Sequence, residues 1–191
     1  MTMKHKIKWW LHKINIFRYI KNYFFCLRYP FMKTRNVWTD KSCGYSFTKY
    51  DEIPYGWRKA FGKQLCKELK VALKKDGILK TFRFTQIKEK WGELCLYNNG
   101  VGKNSSIVIN KYEILSLAYC INCGEPVRYS TNGWVEYICE NCKSKSYKED
   151  ECHRLTKEDI PYSIQFKDNK QIKIDYFDTY GIDFIKLWDL E

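Results

Sequence analysis

Four cysteines, arranged as two Cys-x-x-Cys pairs, constrain the fold of this 191-residue chain more than any other feature of its sequence. The first pair is Cys120 and Cys123, the second is Cys139 and Cys142, and fifteen residues separate them. Two thiolates at this spacing bind one ion when the backbone between them turns tightly. Gly124 permits such a turn, because glycine readily adopts positive φ. The complete C-x2-C-x15-C-x2-C pattern is typical of a structural zinc site.

The segment between the two pairs predicts a β-hairpin. Two runs rich in β-branched and aromatic residues flank Asn132-Gly133, a dipeptide typical of tight hairpin turns. A knuckle, a hairpin and a second knuckle together predict a zinc ribbon over residues 120–142. Because cysteine fills all four positions, we expect Zn²⁺ to be structural, with no open position for water or substrate.

Disulfides and redox chemistry are the alternatives for these cysteines. No secretory signal is recognisable in the sequence, and disulfides are rare inside cells. Redox chemistry needs one Cys-x-x-Cys in a thioredoxin-like βαβ unit, which the pattern does not indicate. The other five cysteines share no spacing. A reducing compartment is therefore expected, and the predicted location is the cytoplasm.

The net charge of +12 favours acidic partners, namely nucleic acid, anionic lipid or an acidic protein surface. Residues 1–39 contribute nine Lys or Arg and no acid, and their apolar positions recur at helical spacing. This pattern predicts a basic, aromatic N-terminal arm or helix, with Lys13 and Arg18 as candidate phosphate or partner contacts. Packing of a terminal helix on the domain is the alternative. A membrane surface is the partner that the sequence favours least.

The most periodic helix follows Pro54 and ends at Gly77. Its predicted apolar stripe consists of Trp57, Phe61, Leu65, Leu69 and Ala72. Five lysines fall on the opposite side: Lys59, Lys63, Lys67, Lys70 and Lys74. A solvated helix face usually mixes both signs of charge, because like charges four residues apart repel. The unmixed row therefore predicts phosphate contacts, with a merely solvated face as the alternative.

The remaining segments complete a prediction of the α+β class. Residues 40–119 form a small helix-plus-hairpin domain that leads directly into an integrated four-cysteine zinc ribbon. Residues 143–191 are predicted to form a charged loop over 143–160 and then a C-terminal β-hairpin that packs on the core. Phe184, Leu187 and Trp188 are candidates for docking the chain end.

Sequence motifs for catalysis are not found. The chain has no Walker-type, G-x-S-x-G, H-E-x-x-H or G-x-G-x-x-G sequence, and its acids form no evident cluster for a metal-dependent nuclease. Its three histidines are His5, His12 and His153, and none suggests a site. We therefore expect a protein that is not an enzyme.

Four segments, in order, resemble a family of small, largely uncharacterised phage and prophage proteins. They are "GWRKAFGKQLCKELK", "FTQIKEKWGELCLY", "KYEILSLAYCINCG" and "NGW…CENC", within residues 54–142. The resemblance implies a four-cysteine zinc site at Cys120, Cys123, Cys139 and Cys142 and a phage context, hence the host cytoplasm. It implies no established activity.

Three functions fit these expectations, and the third is peripheral attachment to a membrane through residues 4–28. One is a phage accessory protein that binds nucleic acid or a nucleoprotein through its basic surface, with Arg128 and Trp134 on the ribbon hairpin. Lysines would hold phosphates, and aromatic rings would stack on unpaired bases. The alternative is a protein-binding effector that inhibits a host defence complex, in the manner of an anti-CRISPR protein. There the exposed aromatic residues would be interface anchors.

Overall fold

A computed structural model describes residues 16–36, 38–167, 170–174 and 176–190. Residues 1–15, including the candidate Lys13, lie outside the described residues. The helices are α1 (Ile16–Arg28), α2 (Lys49–Glu52), α3 (Tyr55–Trp57), α4 (Lys63–Lys75), α5 (Lys103–Ser116), α6 (Glu140–Ser146), α7 (Tyr176–Tyr180) and α8 (Phe184–Trp188). The strands are β1 (Phe84–Lys90), β2 (Glu93–Asn98), β3 (Tyr129–Thr131), β4 (Tyr137–Ile138), β5 (Cys152–Arg154), β6 (Ser163–Lys167) and β7 (Lys170–Ile174). Short 3₁₀ helices cover Pro30–Met32, Glu149–Glu151 and Lys157–Asp159. The α+β prediction is confirmed.

The first hydrophobic cluster is built around α3 and α4, which a π-helical turn over Arg58–Gly62 joins into one rod. The predicted apolar stripe is confirmed, since all five of its residues are buried. Helix α5 packs alongside α4 and the antiparallel β1–β2 hairpin closes the cluster. The hairpin turns at Trp91 and Gly92, which both have positive φ, as in a type I′ turn.

Residues just after α1 belong to this cluster rather than to a separate arm. Phe31 and Met32 are fully buried, and the Phe31 ring meets the rings of Phe82 and Phe84 edge-on. The predicted boundary between an arm of residues 1–39 and a domain of residues 40–119 is therefore wrong for residues 29–32. In the sequence, aromatic residues between many cations resemble a basic arm. In the structure, the aromatic side chains just after α1 fill the core.

The second cluster surrounds the cysteine pairs. Strands β4, β3 and β5 form one antiparallel sheet in that order, so β5 adds a strand to the predicted hairpin. The predicted charged loop over 143–160 is wrong for this strand and for the end of α6. Strand β5 lies at the sheet edge and keeps His153 and Arg154 exposed, which is why its sequence resembles a loop.

The C-terminal segment supplies a hairpin and a docking helix. Strands β6 and β7 pair antiparallel, as predicted. Helix α8 buries Phe184 and Trp188 in the second cluster. Leu115 and Tyr119 pack against both clusters, so the end of α5 joins them.

Asp76 couples the end of α4 to the start of α5. Its carboxylate accepts hydrogen bonds from the Ser105 hydroxyl (2.6 Å), the Asn104 amide (2.7 Å) and both backbone N–H groups of these residues. These donors, above all the Ser105 hydroxyl, lower the pKa of Asp76. They also satisfy backbone donors that a helix start leaves unpaired.

We predict that Asp76→Asn lowers the melting temperature at pH 7. The amide of the new asparagine would point its own N–H groups at the donors of Asn104 and Ser105, which need an acceptor. A lowered folded-state pKa stabilises the protein above the unfolded pKa, near 3.8, and that contribution declines as the pH falls below it. Thermal unfolding from pH 7 to pH 2 should show the wild-type advantage shrinking below about pH 4. Asp150→Asn, at an exposed carboxylate, is the control, and an equal effect of both changes would contradict the capping role.

Candidate metal centre and neighbouring surfaces

The first cysteine pair lies in a tight turn directly after α5. The N–H of Gly124 donates to the carbonyl of Cys120 (2.9 Å), and Cys120 N–H donates to the carbonyl of Glu125 (2.8 Å). Gly124 has φ +80°, the conformation that the sequence predicted for it. This turn is the predicted knuckle, and it brings the Cys120 and Cys123 sulfurs together.

The second pair lies at the start of α6 and not in a second isolated knuckle. Cys139 is the N-cap residue, and Cys142 lies in the first turn of the helix. Two side chains hold this turn against β3: the Tyr129 hydroxyl donates to the Glu140 carboxylate (2.7 Å), and the Lys143 ammonium lies over the Tyr129 ring (4.9 Å). The buried Lys143 also pairs with Glu149. The centre thus combines a knuckle, a hairpin and a helix.

The four sulfurs converge as the spacing predicted. They lie within 4.8 Å of one another, and the Sγ atoms of Cys123 and Cys139 are 3.4 Å apart. A tetrahedral ion with bonds of about 2.3 Å requires sulfurs about 3.8 Å apart, whereas a disulfide requires about 2.05 Å. The group therefore could hold a metal ion.

Crowding of the four sulfurs affects the ionisation of the Cys142 thiol. Burial, followed by the neighbouring sulfurs of Cys123 and Cys120, raises the pKa of the Cys142 thiol. Thiolates crowded in this way repel each other, and a divalent cation removes that cost because it coordinates the deprotonated form. Such a centre releases its metal when acid protonates the sulfurs.

Backbone packing joins the first knuckle to the first hydrophobic cluster. The N–H of Gly56 donates to the carbonyl of Ile121 (2.9 Å), and Trp57 Nε1 donates to the carbonyl of Tyr119 (2.8 Å). A β-carbon at Gly56 would collide with the carbonyl oxygens of Cys120 and Ile121, and one at Gly124 would collide with the carbonyl of Gly56. The beginning of the long helical rod therefore rests directly on the turn that carries the first cysteine pair.

The lysine row on α4 is partly dispersed. Lys63, Lys67 and Lys74 are exposed, and no carboxylate among the described residues lies within ion-pair distance of them. The Lys70 ammonium lies 5.6 Å from the centre of the Tyr29 ring. Lys59 pairs with Glu125 on the first knuckle (3.2 Å). A residue advances less than 100° in a π-helical turn, so Lys59 leaves the face that α-helical periodicity predicted for it.

Two other candidate residues have structural partners. The Arg128 guanidinium donates to the carbonyl of Leu187 (3.0 Å) and lies 3.3 Å from the Asp189 carboxylate, so it holds the end of α8. Arg18 on α1 lies 3.3 Å from the Asp51 carboxylate and stays half exposed. Both cations therefore have partners within the protein, unlike a side chain whose charge is available for phosphate.

Trp134, in contrast, is exposed and has an aromatic partner that the sequence did not single out. Its ring stacks on that of Trp91, with centroids 5.7 Å apart and planes inclined by 26°. Both remain more than half exposed, at 64% and 60%. The stack joins the β1–β2 turn to the β3–β4 loop. The positive φ of Trp91 is rare for a bulky residue and in a hairpin turn is usually left to Asn, Asp or Gly.

No known protein family, curated protein or solved structure matches the chain. The resemblance to phage and prophage proteins therefore stays a prediction. Among the described residues, no helix has the length and apolar content required to cross a bilayer.

We predict that Cys123→Ser abolishes stoichiometric metal binding and lowers the melting temperature, because metal affinity and folding free energy are coupled in such centres. Cys152→Ser, a matched change on nearby β5, should keep both at wild-type values. Atomic emission on purified protein and thermal unfolding measure the two effects. Retention of one metal per chain by Cys123→Ser would contradict the assignment of this ligand.

Proposed function

We propose that this protein is a non-catalytic, phage-type accessory protein of the host cytoplasm that binds nucleic acid or a nucleoprotein, with structural Zn²⁺ in its four-cysteine centre. The observation that carries the binding proposal is the set Lys63, Lys67 and Lys74 on one helix, exposed and without an ion-pair partner among the described residues. At about 100° per residue these three lie within about 40° of one another on α4. The strong excess of positive charge elsewhere in the chain also favours a nucleic-acid partner.

Zinc is the metal proposed because four thiolates in tetrahedral reach suit its coordination preference. With every position filled by sulfur, the ion would bind no substrate. Its role would be to fix the knuckle and the start of α6, and through them the hairpin that carries Trp134.

The Trp91–Trp134 pair supports a single-stranded ligand. Exposed rings stack on unpaired bases with little sequence preference, while lysines bind the sugar–phosphate backbone. Stacking of the two indoles on each other fixes both rings before a ligand arrives. Trp91 is exposed and has positive φ, a conformation that costs about 1–3 kcal/mol, so its presence there is difficult to explain by stability alone.

The alternative function, a protein-binding effector that acts on a host defence complex, has a different observation in its favour. A groove of about 500 Å³ runs between α4 and α5 and exposes Val71 and Ile107 beside Lys67 and Lys75. Apolar side chains bordered by cations fit an acidic protein surface. Co-purification of a stoichiometric host protein, with no bound nucleic acid, would favour this function.

We predict that changing Lys63, Lys67 and Lys74 to Gln weakens binding of a fluorescent single-stranded oligonucleotide and leaves the melting temperature nearly unchanged. Exposed charges contribute little to stability, whereas each lost phosphate contact lowers the salt slope by about 0.7, or about 2 for three contacts. Fluorescence anisotropy across a salt series measures both affinity and slope.

The matched control changes Lys145, Lys148 and Lys157, three exposed lysines outside α4, to Gln. Both triple variants lose the same charge, so a general charge effect moves them together. Equal salt slopes for the two variants would show that α4 is only a solvated face.

We predict that Trp134→Ala lowers affinity for the single-stranded oligonucleotide by about 5- to 150-fold, the range for loss of one stacked base. The same change should alter duplex binding far less. Trp38→Ala is the control, because Trp38 is 93% exposed and lies on another turn. Equal losses for single strand and duplex, or for both variants, would remove the stacking role.

A further inference from the structure

Helix α1 carries an apolar stripe that points away from the protein. All five side chains of this stripe are exposed, and the largest exposures are 86% for Phe17, 62% for Phe24 and 60% for Leu27. At about 100° per residue the five fall within a sector of about 100°. They are Ile16, Phe17, Ile20, Phe24 and Leu27. A surface helix normally turns such a stripe towards the core.

The opposite side of α1 fixes this orientation. Asn22 is buried and donates from its amide to the carbonyl of Tyr45 (2.8 Å), and Cys26 is buried beside it. The Phe25 ring packs against those of Tyr29 and Tyr50. Among the described residues, the helix contacts the protein through a narrow, partly polar side and leaves its most apolar side exposed.

The two borders of the stripe differ in chemistry. Lys21 and Arg28 follow one edge, and both are exposed. Tyr19 and Tyr23 follow the other edge, where each meets the ring of Tyr45 edge-on. Cations beside an aromatic and aliphatic stripe are the features of helices that lie in the interface of a lipid bilayer.

Charge decides between the possible occupants. Residues 1–28 contain seven Lys or Arg and no acid, so this part of the chain is strongly cationic. A nucleic acid would use the cations and leave the apolar stripe uncovered, whereas an anionic bilayer uses both. We propose that α1 binds the surface of a bilayer containing anionic lipid, with Phe17, Phe24 and Leu27 inserted among the acyl chains. This is the partner that the sequence favoured least, and the outward direction of the stripe is the reason for the change.

The test is flotation of the full chain with vesicles of phosphatidylcholine, alone or with about one-third phosphatidylserine. The wild type should float with the anionic vesicles and stay behind with the neutral ones. The double change Phe17→Ser and Phe24→Ser should lower partitioning by about tenfold or more, since both side chains lose their apolar contact. Lys21→Gln with Arg28→Gln should lower it by about fivefold per charge.

The control is Val101→Ser with Ile185→Ser, two changes of exposed apolar residues outside α1. This variant should float like the wild type, and the melting temperatures of all variants should stay close to the wild-type value because the changed side chains are exposed. Light scattering measures their oligomeric state.

Three results would overturn the proposal. One is wild-type protein that does not float with anionic vesicles. The second is flotation undiminished by the two serines on α1. The third is a dimer that those serines dissociate while flotation is unchanged, which would make the stripe an interface between two copies of the chain.

Discussion

The contact between Gly56 and the backbone of the first knuckle is the constraint on which the remaining structure depends. The N–H of Gly56 binds the carbonyl of Ile121, and any side chain at position 56 would collide with the same turn. A short turn that follows a helix makes few pairing interactions within itself, so it has little stability of its own. Four convergent sulfurs could hold a metal ion, and such an ion would supply that stability. The cysteine centre therefore positions the long helical rod as well as its own hairpin.

The two surfaces proposed to bind nucleic acid both start from this arrangement. The rod that begins at Gly56 carries the exposed lysines of α4, while the hairpin fixed by the cysteines carries Trp134. Trp91 reaches that hairpin from the separate β1–β2 sheet and stacks on it. A charged helix and an aromatic pair thus have a defined relation to each other, which a ligand that needs both phosphate and base contacts requires. Helix α1 presents a third surface of different chemistry, apolar with a cationic border.

The sequence predicts features that depend on local pattern and misses those that depend on distant contacts. Cysteine spacing, the apolar stripe from Trp57 to Ala72 and the Asn132-Gly133 turn were sufficient to predict the convergence of the four cysteines, the rod and the hairpin. The π-helical turn, which redirects Lys59 to Glu125, has no periodic signature. Strand β5 pairs with β3 across a sequence separation of more than twenty residues. Its exposed charged residues give it the sequence pattern of a loop. Trp91 becomes a candidate binding residue only because its ring stacks on that of Trp134. No local sequence pattern connects these two residues.

Hydrogen exchange measured by mass spectrometry, with and without chelation of the metal, tests the central dependence most directly. Metal removal should speed exchange in residues 120–146 and also in residues 54–65, because the start of the rod rests on the knuckle. The β1–β2 hairpin, whose partner strands pair with each other, should change least. Faster exchange confined to residues 120–146, with residues 54–65 as protected as before, would contradict the claim that the cysteine centre supports the rest of the fold.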